Sequence, residues 1–204
     1  MKGDAYLKCV NPNCGLEYPI SSTNVQCEKG HVLDVKYKNK PSTKLKDTFY
    51  ERRNSKGSIF NESGIWRFRE LLNFCQIDTE SIDECSKFLV SLDGAEGRQS
   101  KPYQMSKAAD FLGMNKEGLW LQPEGYNPSG SFKDNGMVTA VTHAKMVGAK
   151  KIVCASTGNT SASAGMFAAN EGIDCDVYIP AGQIAPGKLS QAYQFGAQIV
   201  QVEG

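Results

Sequence analysis

The second half of the chain alternates helix and strand patterns with a regularity that few architectures accommodate. Three helices and three apolar strands are predicted, in alternation, over residues 131–147, 151–155, 159–171, 174–179, 186–195 and 197–202. Pro186 suits a first helical turn, and Gly148, Gly172 and Gly196 suit helix C-termini. Apolar strands joined by helices form a parallel sheet that helices cover. We therefore predict an α/β fold with a doubly wound parallel sheet, in which ligands bind at the carboxyl ends of the strands.

A lysine lies at the start of the first of these helices. The turn-forming residues 127–130 precede Ser131, which is predicted to cap the helix. Lys133 then falls in the first turn, where the helix dipole does not favour a cation. A lysine amine that is neutral near pH 7 can attack a carbonyl group, but a solvated surface lysine would show the same spacing. The buried face of this helix is predicted to carry Met137, Val141 and Ala144.

A polar, glycine-bearing turn follows the strand at residues 151–155. It consists of Ser156, Thr157, Gly158, Asn159 and Thr160, and a helix of small residues follows it. Backbone N–H groups in a strand–turn–helix arrangement of this kind bind anions. The pattern therefore predicts an anion site at the carboxyl end of this strand.

Two motifs in this order resemble those of the threonine synthases, which are pyridoxal-phosphate (PLP) enzymes of fold type II. The motifs are Ser-Phe-Lys-Asp at residues 131–134 and Ser-Thr-Gly-Asn-Thr at residues 156–160, and the resemblance covers roughly residues 60 to 204. It implies that Lys133 holds the cofactor covalently and shuttles protons. It also implies that Phe132 sets the tilt of the cofactor and that Asn159 hydrogen-bonds the ring hydroxyl oxygen.

The same resemblance implies roles for residues that contact the substrate. Lys188 would face the substrate phosphate, although a solvated lysine is the alternative for that position. His143 is expected to be a packed or solvent-facing histidine. Many relatives carry arginine where this chain has Asn135, so a carboxylate near this position is expected to be paired differently here. The residues implied to hold the substrate carboxylate are Ser156, Thr157 and Thr160.

The implied reaction converts O-phospho-L-homoserine and water into L-threonine and phosphate. The near alternative is cysteate synthase, which acts on phosphoserine, or another fold type II PLP lyase. An alternative of a different class is a non-catalytic zinc-ribbon module with a degenerate PLP body. Relatives are longer, and their second half supplies a glycine-rich loop for the PLP phosphate that is not found after residue 160. We therefore expect an N-terminal part of the enzyme that is inactive alone and forms a homodimer at full length.

Residues 1–38 carry a metal-ligand pattern. The pairs Cys9-x4-Cys14 and Cys27-x3-His31 accompany two strand-like pieces at residues 16–20 and 32–37. Paired knuckles on short strands are typical of a zinc ribbon with four tetrahedral ligands. The Cys-x4-Cys spacing is wider than usual, so a loop-rich arm with free thiols is the alternative. Some threonine synthases carry a Cys-rich ribbon at this place, which favours zinc.

The rest of the chain gives weaker signals. Residues 39–63 are predicted to be a basic linker, and residues 64–204 the N-terminal part of the catalytic domain. Further predictions are short helices at 79–90 and 105–114, a loop at 92–98 and a buried strand at 118–122. Residues 64–72 are predicted to form a packing helix whose buried face carries Ile65, Phe68, Leu71 and Leu72.

Composition excludes several classes of partner. The net charge is +1, and the basic strip at residues 36–53 has few aromatic residues, so no nucleic-acid partner is expected. No apolar run reaches the roughly 18 residues that suggest a membrane span, and no N-terminal export signal is apparent. The seven cysteines are irregularly spaced, which favours a reducing cytoplasm over a disulfide framework.

Overall fold

A computed structural model describes most of the chain. The described residues are 5–38, 44–54, 59–62, 64–72, 102–182 and 186–203. The short helix predicted at 79–90 and the loop predicted at 92–98 lie outside them. Strands β1 to β8 span Ala5–Cys9, Glu17–Pro19, Leu33–Tyr37, Tyr103–Gln104, Trp120–Leu121, Lys151–Ala155, Asp174–Pro180 and Gln198–Val202. Helices α1 to α7 span Leu45–Asn54, Ile59–Glu62, Arg69–Leu72, Ser106–Phe111, Lys133–Met146, Asn159–Asn170 and Pro186–Gln194, and two 3-10 turns span Trp66–Phe68 and Glu124–Tyr126.

The parallel sheet forms as the alternation predicts. Strand β7 lies between β6 and β8, and Val177 pairs with Cys154 on one side and Ile199 on the other. Helix α6 connects β6 to β7, and α7 connects β7 to β8. The three glycines expected at helix C-termini have positive φ angles, 75° at Gly148, 65° at Gly172 and 83° at Gly196. Each therefore ends its helix in the left-handed conformation that glycine adopts at low cost.

Helices cover one face of this sheet in the described part of the chain. Val177 and Ile179 pack against Ala164 of α6 and Ala192 of α7. On the opposite face Val153 is 62% exposed. The alternation of buried and exposed residues along β6 differs from the uniformly buried strand expected from its apolar run, because only one of its faces is packed. A second helical layer, which a doubly wound sheet requires, stays a prediction.

Helix α6 is buried between the sheet and helix α5. All residues from 161 to 168 are buried. Phe167 of α6 packs against Val138 and Val141 of α5 and against Trp66, which is only 1% exposed. Of the residues predicted to form the buried face of segment 64–72, Ile65 and Leu72 do pack against this cluster. The prediction is wrong for Phe68 and Leu71, which are exposed. This segment forms a 3-10 turn and a four-residue helix, which present Trp66 to the core and leave Phe68 partly exposed.

The N-terminal segment is a three-stranded antiparallel sheet in the order β2-β1-β3. It contacts the main body through His143 of α5, whose Nε2 donates to the carbonyl oxygen of Ile20 at 2.7 Å. His143 is therefore packed, as expected. The stretch interpreted as a linker contains helix α1, and its Arg52 donates to both carboxylate oxygens of Glu70 and to the carbonyl of Arg67.

Residues 102–126 form a small hairpin and a helix. Helix α4 confirms the helical turn predicted at residues 105–114. Strands β4 and β5 pair, but Trp120 is 56% exposed and Leu121 is 52% exposed. The strand predicted at 118–122 is therefore present over residues 120–121, but the prediction that it is buried is wrong. No helix in the described ranges is both long enough and apolar enough to cross a membrane.

The close packing of α6 against its neighbours yields a stability prediction. A Cβ atom at Gly165 would lie 3.3 Å from the Cβ of Ala197 and 3.4 Å from the carbonyl oxygen of Ala192. Gly165→Leu should lower the free energy of unfolding by about 1–3 kcal/mol, because it overpacks this contact. Gly136→Leu is the matched control, since nothing lies within 4 Å of a Cβ at Gly136. Equal unfolding midpoints in urea for the two variants would contradict the packing described here.

Candidate functional site

The turn before Lys133 is fixed by internal hydrogen bonds. Asn127 is buried, and its amide donates to the carbonyl of Ser131 at 3.0 Å and to Glu124 Oε2 at 2.7 Å. Gly130 supplies the positive φ of 81° that the turn requires. Helix α5 begins at Lys133 with Phe132 in the cap position, two residues later than predicted. The hydroxyl of Ser131 nevertheless accepts the Lys133 N–H at 3.3 Å, so it satisfies one free donor of the helix start.

The side chain after Lys133 is a fully buried carboxylate. Asp134 Oδ2 accepts the backbone N–H of Ser129 at 2.8 Å. Asp134 Oδ1 accepts the hydroxyls of Ser129 at 2.5 Å and of Ser163 at 2.6 Å. Ser163 lies on helix α6, one turn after Asn159. The start of α5, which carries Lys133, is therefore bonded directly to the first turns of α6.

Lys133 and Phe132 face the accessible side of this junction. Lys133 is partly exposed, and Phe132 is 56% exposed. The Lys133 Nζ lies 4.7 Å from the centroid of the Phe132 ring, within the range of a cation–π contact. The amine is therefore accessible to a ligand, with an aromatic ring beside it.

The turn between β6 and α6 is ordered by two serine hydroxyls. Ser156 Oγ accepts the N–H of Gly158 at 3.2 Å, and Ser161 Oγ donates to the Gly158 carbonyl at 2.7 Å. Helix α6 begins at Asn159, whose side chain is exposed, and Gly158 is its cap residue. The first N–H groups of a helix have no partner within it, so this turn can accept an anion.

The remaining predicted substrate contacts are placed unequally. Thr157 and Thr160 lie in the same turn and are partly exposed. Lys188 lies on helix α7, and its side chain is outside the described part of the chain. The turn thus brings together Ser156, Thr157, Asn159 and Thr160, while the geometry at Lys188 stays untested.

Asn135, at a position where the resemblance leads one to expect arginine, hydrogen-bonds a carboxylate. Asn135 Nδ2 donates to Glu124 Oε2 at 3.1 Å, and the same oxygen accepts from Asn127. Sequence reasoning expected a changed pairing but did not identify Glu124 as the partner. It also assigned no role to Asp134. An acidic residue directly after Lys133, with Ser129 five residues before that acidic residue, is a signal that could have suggested a hydrogen bond between the two.

The four predicted metal ligands come together in the N-terminal sheet. Their ligand atoms all lie within 4.8 Å of one another. Cys27 Sγ lies 3.9 Å from Cys14 Sγ and 3.6 Å from His31 Nδ1. Cys9 and Cys27 are buried. The Cys27 N–H donates to the His31 carbonyl at 2.8 Å, which closes the knuckle that contains Cys27 and His31. Three thiols and an imidazole at these distances form a donor set that suits zinc.

Electrostatics in this cluster favour a thiolate at one position. Burial raises the pKa of the Cys27 thiol, but backbone N–H groups of His31 and Lys29 stabilise the thiolate and bring the pKa down to about 7. Burial raises the pKa of Cys9. Because cysteine binds metals as a thiolate, the lowered pKa makes Cys27 easier to deprotonate than Cys9.

A comparison with known families decides the classification. The sequence profile described as pyridoxal-phosphate dependent enzyme matches residues 99–204, just over half of the chain. The chain belongs to this family. Its matched region contains Lys133, the turn at residues 156–160 and the parallel sheet formed by β6, β7 and β8.

Curated relatives show where the similarity is concentrated. A threonine synthase of Methanocaldococcus jannaschii is 34% identical over 197 residues, which is 97% of this chain and 43% of that protein. A threonine synthase of a Bacillus species is 59% identical over 86 residues, 42% of this chain and 24% of that protein. The resemblance to threonine synthases predicted from the two motifs is therefore confirmed. The chain spans less than half the length of these relatives.

A solved structure of maize serine racemase is also similar. It is 20% identical, with a TM-score of 0.47, over 62% of this chain and 36% of that chain.

The pairing at Glu124 gives a second stability prediction. Glu124→Ala removes the acceptor shared by Asn127 and Asn135, so we expect a loss of about 1–3 kcal/mol in the free energy of unfolding. The exposed Glu117 lies seven residues earlier, and Glu117→Ala serves as the control, expected to change stability by less than about 0.5 kcal/mol. Urea unfolding followed by tryptophan fluorescence measures both variants, and indistinguishable curves would contradict the proposed importance of this pairing.

Proposed function

We propose that the protein carrying this chain is a threonine synthase. In this role it converts O-phospho-L-homoserine and water into L-threonine and phosphate, as a PLP-dependent carbon–oxygen lyase. The observation that carries the proposal is the direct bond between the starts of α5 and α6, formed by Asp134 and Ser163 at 2.6 Å. This bond supports a shared site for Lys133 and the turn at residues 156–160, in a chain whose identity to a threonine synthase extends over 97% of its length.

The residues present suit the cofactor. Lys133 is an accessible amine at a helix start, the exposed ring of Phe132 lies beside it, and Asn159 offers an exposed amide at the neighbouring helix start. When bound, PLP supplies the electron sink for the reaction. Lys133 would hold the cofactor and then accept and return protons at its Nζ. Phe132 would set the orientation of the ring, and Asn159 would donate to its hydroxyl oxygen.

The turn after β6 would bind the amino-acid substrate. Its free N–H groups and the hydroxyls of Ser156, Thr157 and Thr160 suit a carboxylate, because helix starts favour negative charge. Lys188 would contact the substrate phosphate as a point charge. In this arrangement, the protein fixes the substrate between an anion site and the proton-transferring lysine.

The activity is proposed for the complete protein. The chain covers 43% of its Methanocaldococcus relative, so we propose that further residues supply the glycine-rich loop for the PLP phosphate. Residues 1–204 alone are expected to retain PLP weakly and to show no turnover. We further propose a homodimer in the cytoplasm that binds small phosphorylated amino acids and neither nucleic acid nor membrane.

Phosphate release by the complete protein tests the reaction. We expect release from O-phospho-L-homoserine, with L-threonine as the product, and much slower release from O-phospho-L-serine, the substrate class of the cysteate synthase alternative. Faster release from phosphoserine would support that alternative, and no release from phosphohomoserine would contradict the proposal. A gel shift at low salt, where phosphate contacts are strongest, tests the non-catalytic module and should show no nucleic-acid binding.

A second proposed function is a structural zinc site in residues 1–38. The convergence of Cys9, Cys14, Cys27 and His31 within 4.8 Å supports it. The ion would stabilise a small sheet whose strands have only three to five residues each, since such a segment has little apolar core. Zinc in this position acts on folding and takes no part in the reaction.

Elemental analysis tests the zinc proposal. We expect about one zinc per chain, with a marked loss in Cys14→Ser, because a four-coordinate site loses one thiolate ligand. Cys154→Ser is the matched control, since Cys154 packs against the core of the parallel sheet and should leave zinc content unchanged. Equal zinc content in both variants, or no zinc in a protein with a folded N-terminal sheet, would contradict the site.

A further inference from the structure

The Asp134 carboxylate is an unusual buried group in the described part of the chain. It is 0% exposed, and no ion pair to it is present among the described residues. Its two oxygens instead accept three neutral donors, from Ser129 and Ser163, and it lies in the first turn of α5. Burying a charged group is costly unless hydrogen bonds compensate, and the helix dipole adds a favourable contribution here. The hydrogen bonds that compensate for the burial of Asp134 therefore hold Ser129 and Ser163 in defined positions.

The bonds from Asp134 cross three separate elements. Ser129 belongs to the turn that leads into Lys133, and Ser163 belongs to α6. The carbonyl of Ser129 also accepts the side-chain amide of Gln191 on α7 at 3.3 Å. One carboxylate therefore links the turn, the lysine-bearing helix and the anion-binding helix, and the turn reaches a third helix through Gln191.

We infer that Asp134 and Ser163 are positioning residues that set Lys133 relative to the anion-binding turn at residues 156–160. This inference rests on the proposed function, because it assigns the purpose of the junction to that site. The physical reason is the short path between the groups. Asp134 directly follows Lys133, and Ser163 is one helical turn from Asn159. A change in the bond between Asp134 and Ser163 would therefore shift Lys133 relative to the turn at residues 156–160.

Loss of the carboxylate would loosen this junction without removing any group that contacts a ligand. Asp134→Ala leaves the Ser129 N–H and two buried hydroxyls without their acceptor, which favours rearrangement of the turn. Asp134→Asn keeps the shape, and its amide can donate to the two hydroxyls, since a hydroxyl also accepts. The two variants therefore separate the geometry of the anchor from its charge.

The test uses the complete protein freed of cofactor and then given PLP. The rate of covalent attachment at Lys133 is measured by visible absorbance and by borohydride trapping with peptide mass analysis. The kcat and KM for phosphate release from O-phospho-L-homoserine are measured separately. Because misplacement by about 1 Å costs roughly 100-fold, we expect Asp134→Ala to lower kcat about 100-fold and Ser163→Ala about tenfold. KM should change little, and attachment at Lys133 should slow in the same order.

Two further variants distinguish positioning from loss of stability. Val141→Ala is the structural control, because Val141 is buried on the same helix, against the cluster that contains Trp66. It should lower the unfolding midpoint but leave attachment and kcat within about twofold of wild type. Asp134→Asn should recover most of the activity lost in Asp134→Ala, because it restores hydrogen bonds across the junction.

The outcomes are separable from those of the proposed reaction. If Asp134→Ala and Ser163→Ala lose stability as Val141→Ala does but keep wild-type attachment and kcat, the positioning role is wrong. Should Asp134→Ala fail to fold, Ser163→Ala decides the question alone. A wild-type protein that attaches PLP at Lys133 but releases no phosphate from phosphohomoserine overturns the proposed reaction, while the comparison of attachment rates still decides the positioning role.

Discussion

The hydrogen bonds at Asp134 are the interaction on which the site depends. Two helices that begin at separate points of the chain, Lys133 and Asn159, meet through this carboxylate and Ser163 at 2.6 Å. Apolar packing farther along α5 and α6 joins the same two helices. The same hydrogen bonds therefore contribute both to the stability of the fold and to the geometry of the proposed site. Complete burial of Asp134 strengthens these bonds, because the interior of the protein has a low dielectric constant.

Small residues make this junction possible. Helix α6 carries Ala162, Ala164, Gly165 and Ala168 among its buried residues, so the sheet and two helices approach its backbone closely. Gly165 is where this approach is tightest, with a prospective Cβ 3.3 Å from that of Ala197. The same close packing leaves little room for polar groups. Asp134 and Ser163 are both buried there, and the Ser163 hydroxyl donates a hydrogen bond to the Asp134 carboxylate. Packing and hydrogen bonding thus fix the start of α5 against the first turns of α6.

Sequence patterns predicted the strands and helix ends whose structure depends on neighbouring residues in the chain. Strand β6 has the predicted bounds, and Gly172 adopts the left-handed conformation expected after a helix. The turn and helix predicted around Lys133 are present because the chemistry of this turn is local. Trp66 was missed as a core residue, since a short 3-10 turn does not follow helical periodicity. The bond from Asp134 to Ser163 spans 29 residues and depends on how two helices pack, which no sequence pattern displays.

The central claim is that Lys133 is the residue that holds the cofactor. The most direct measurement is borohydride trapping of PLP on the complete protein, followed by digestion and mass analysis of every lysine peptide. The account predicts a single modified peptide, the one containing Lys133, and no trapped cofactor or visible absorbance band in Lys133→Ala under mild conditions. Modification of a different lysine in the wild type, or an unchanged absorbance band in Lys133→Ala, would contradict it.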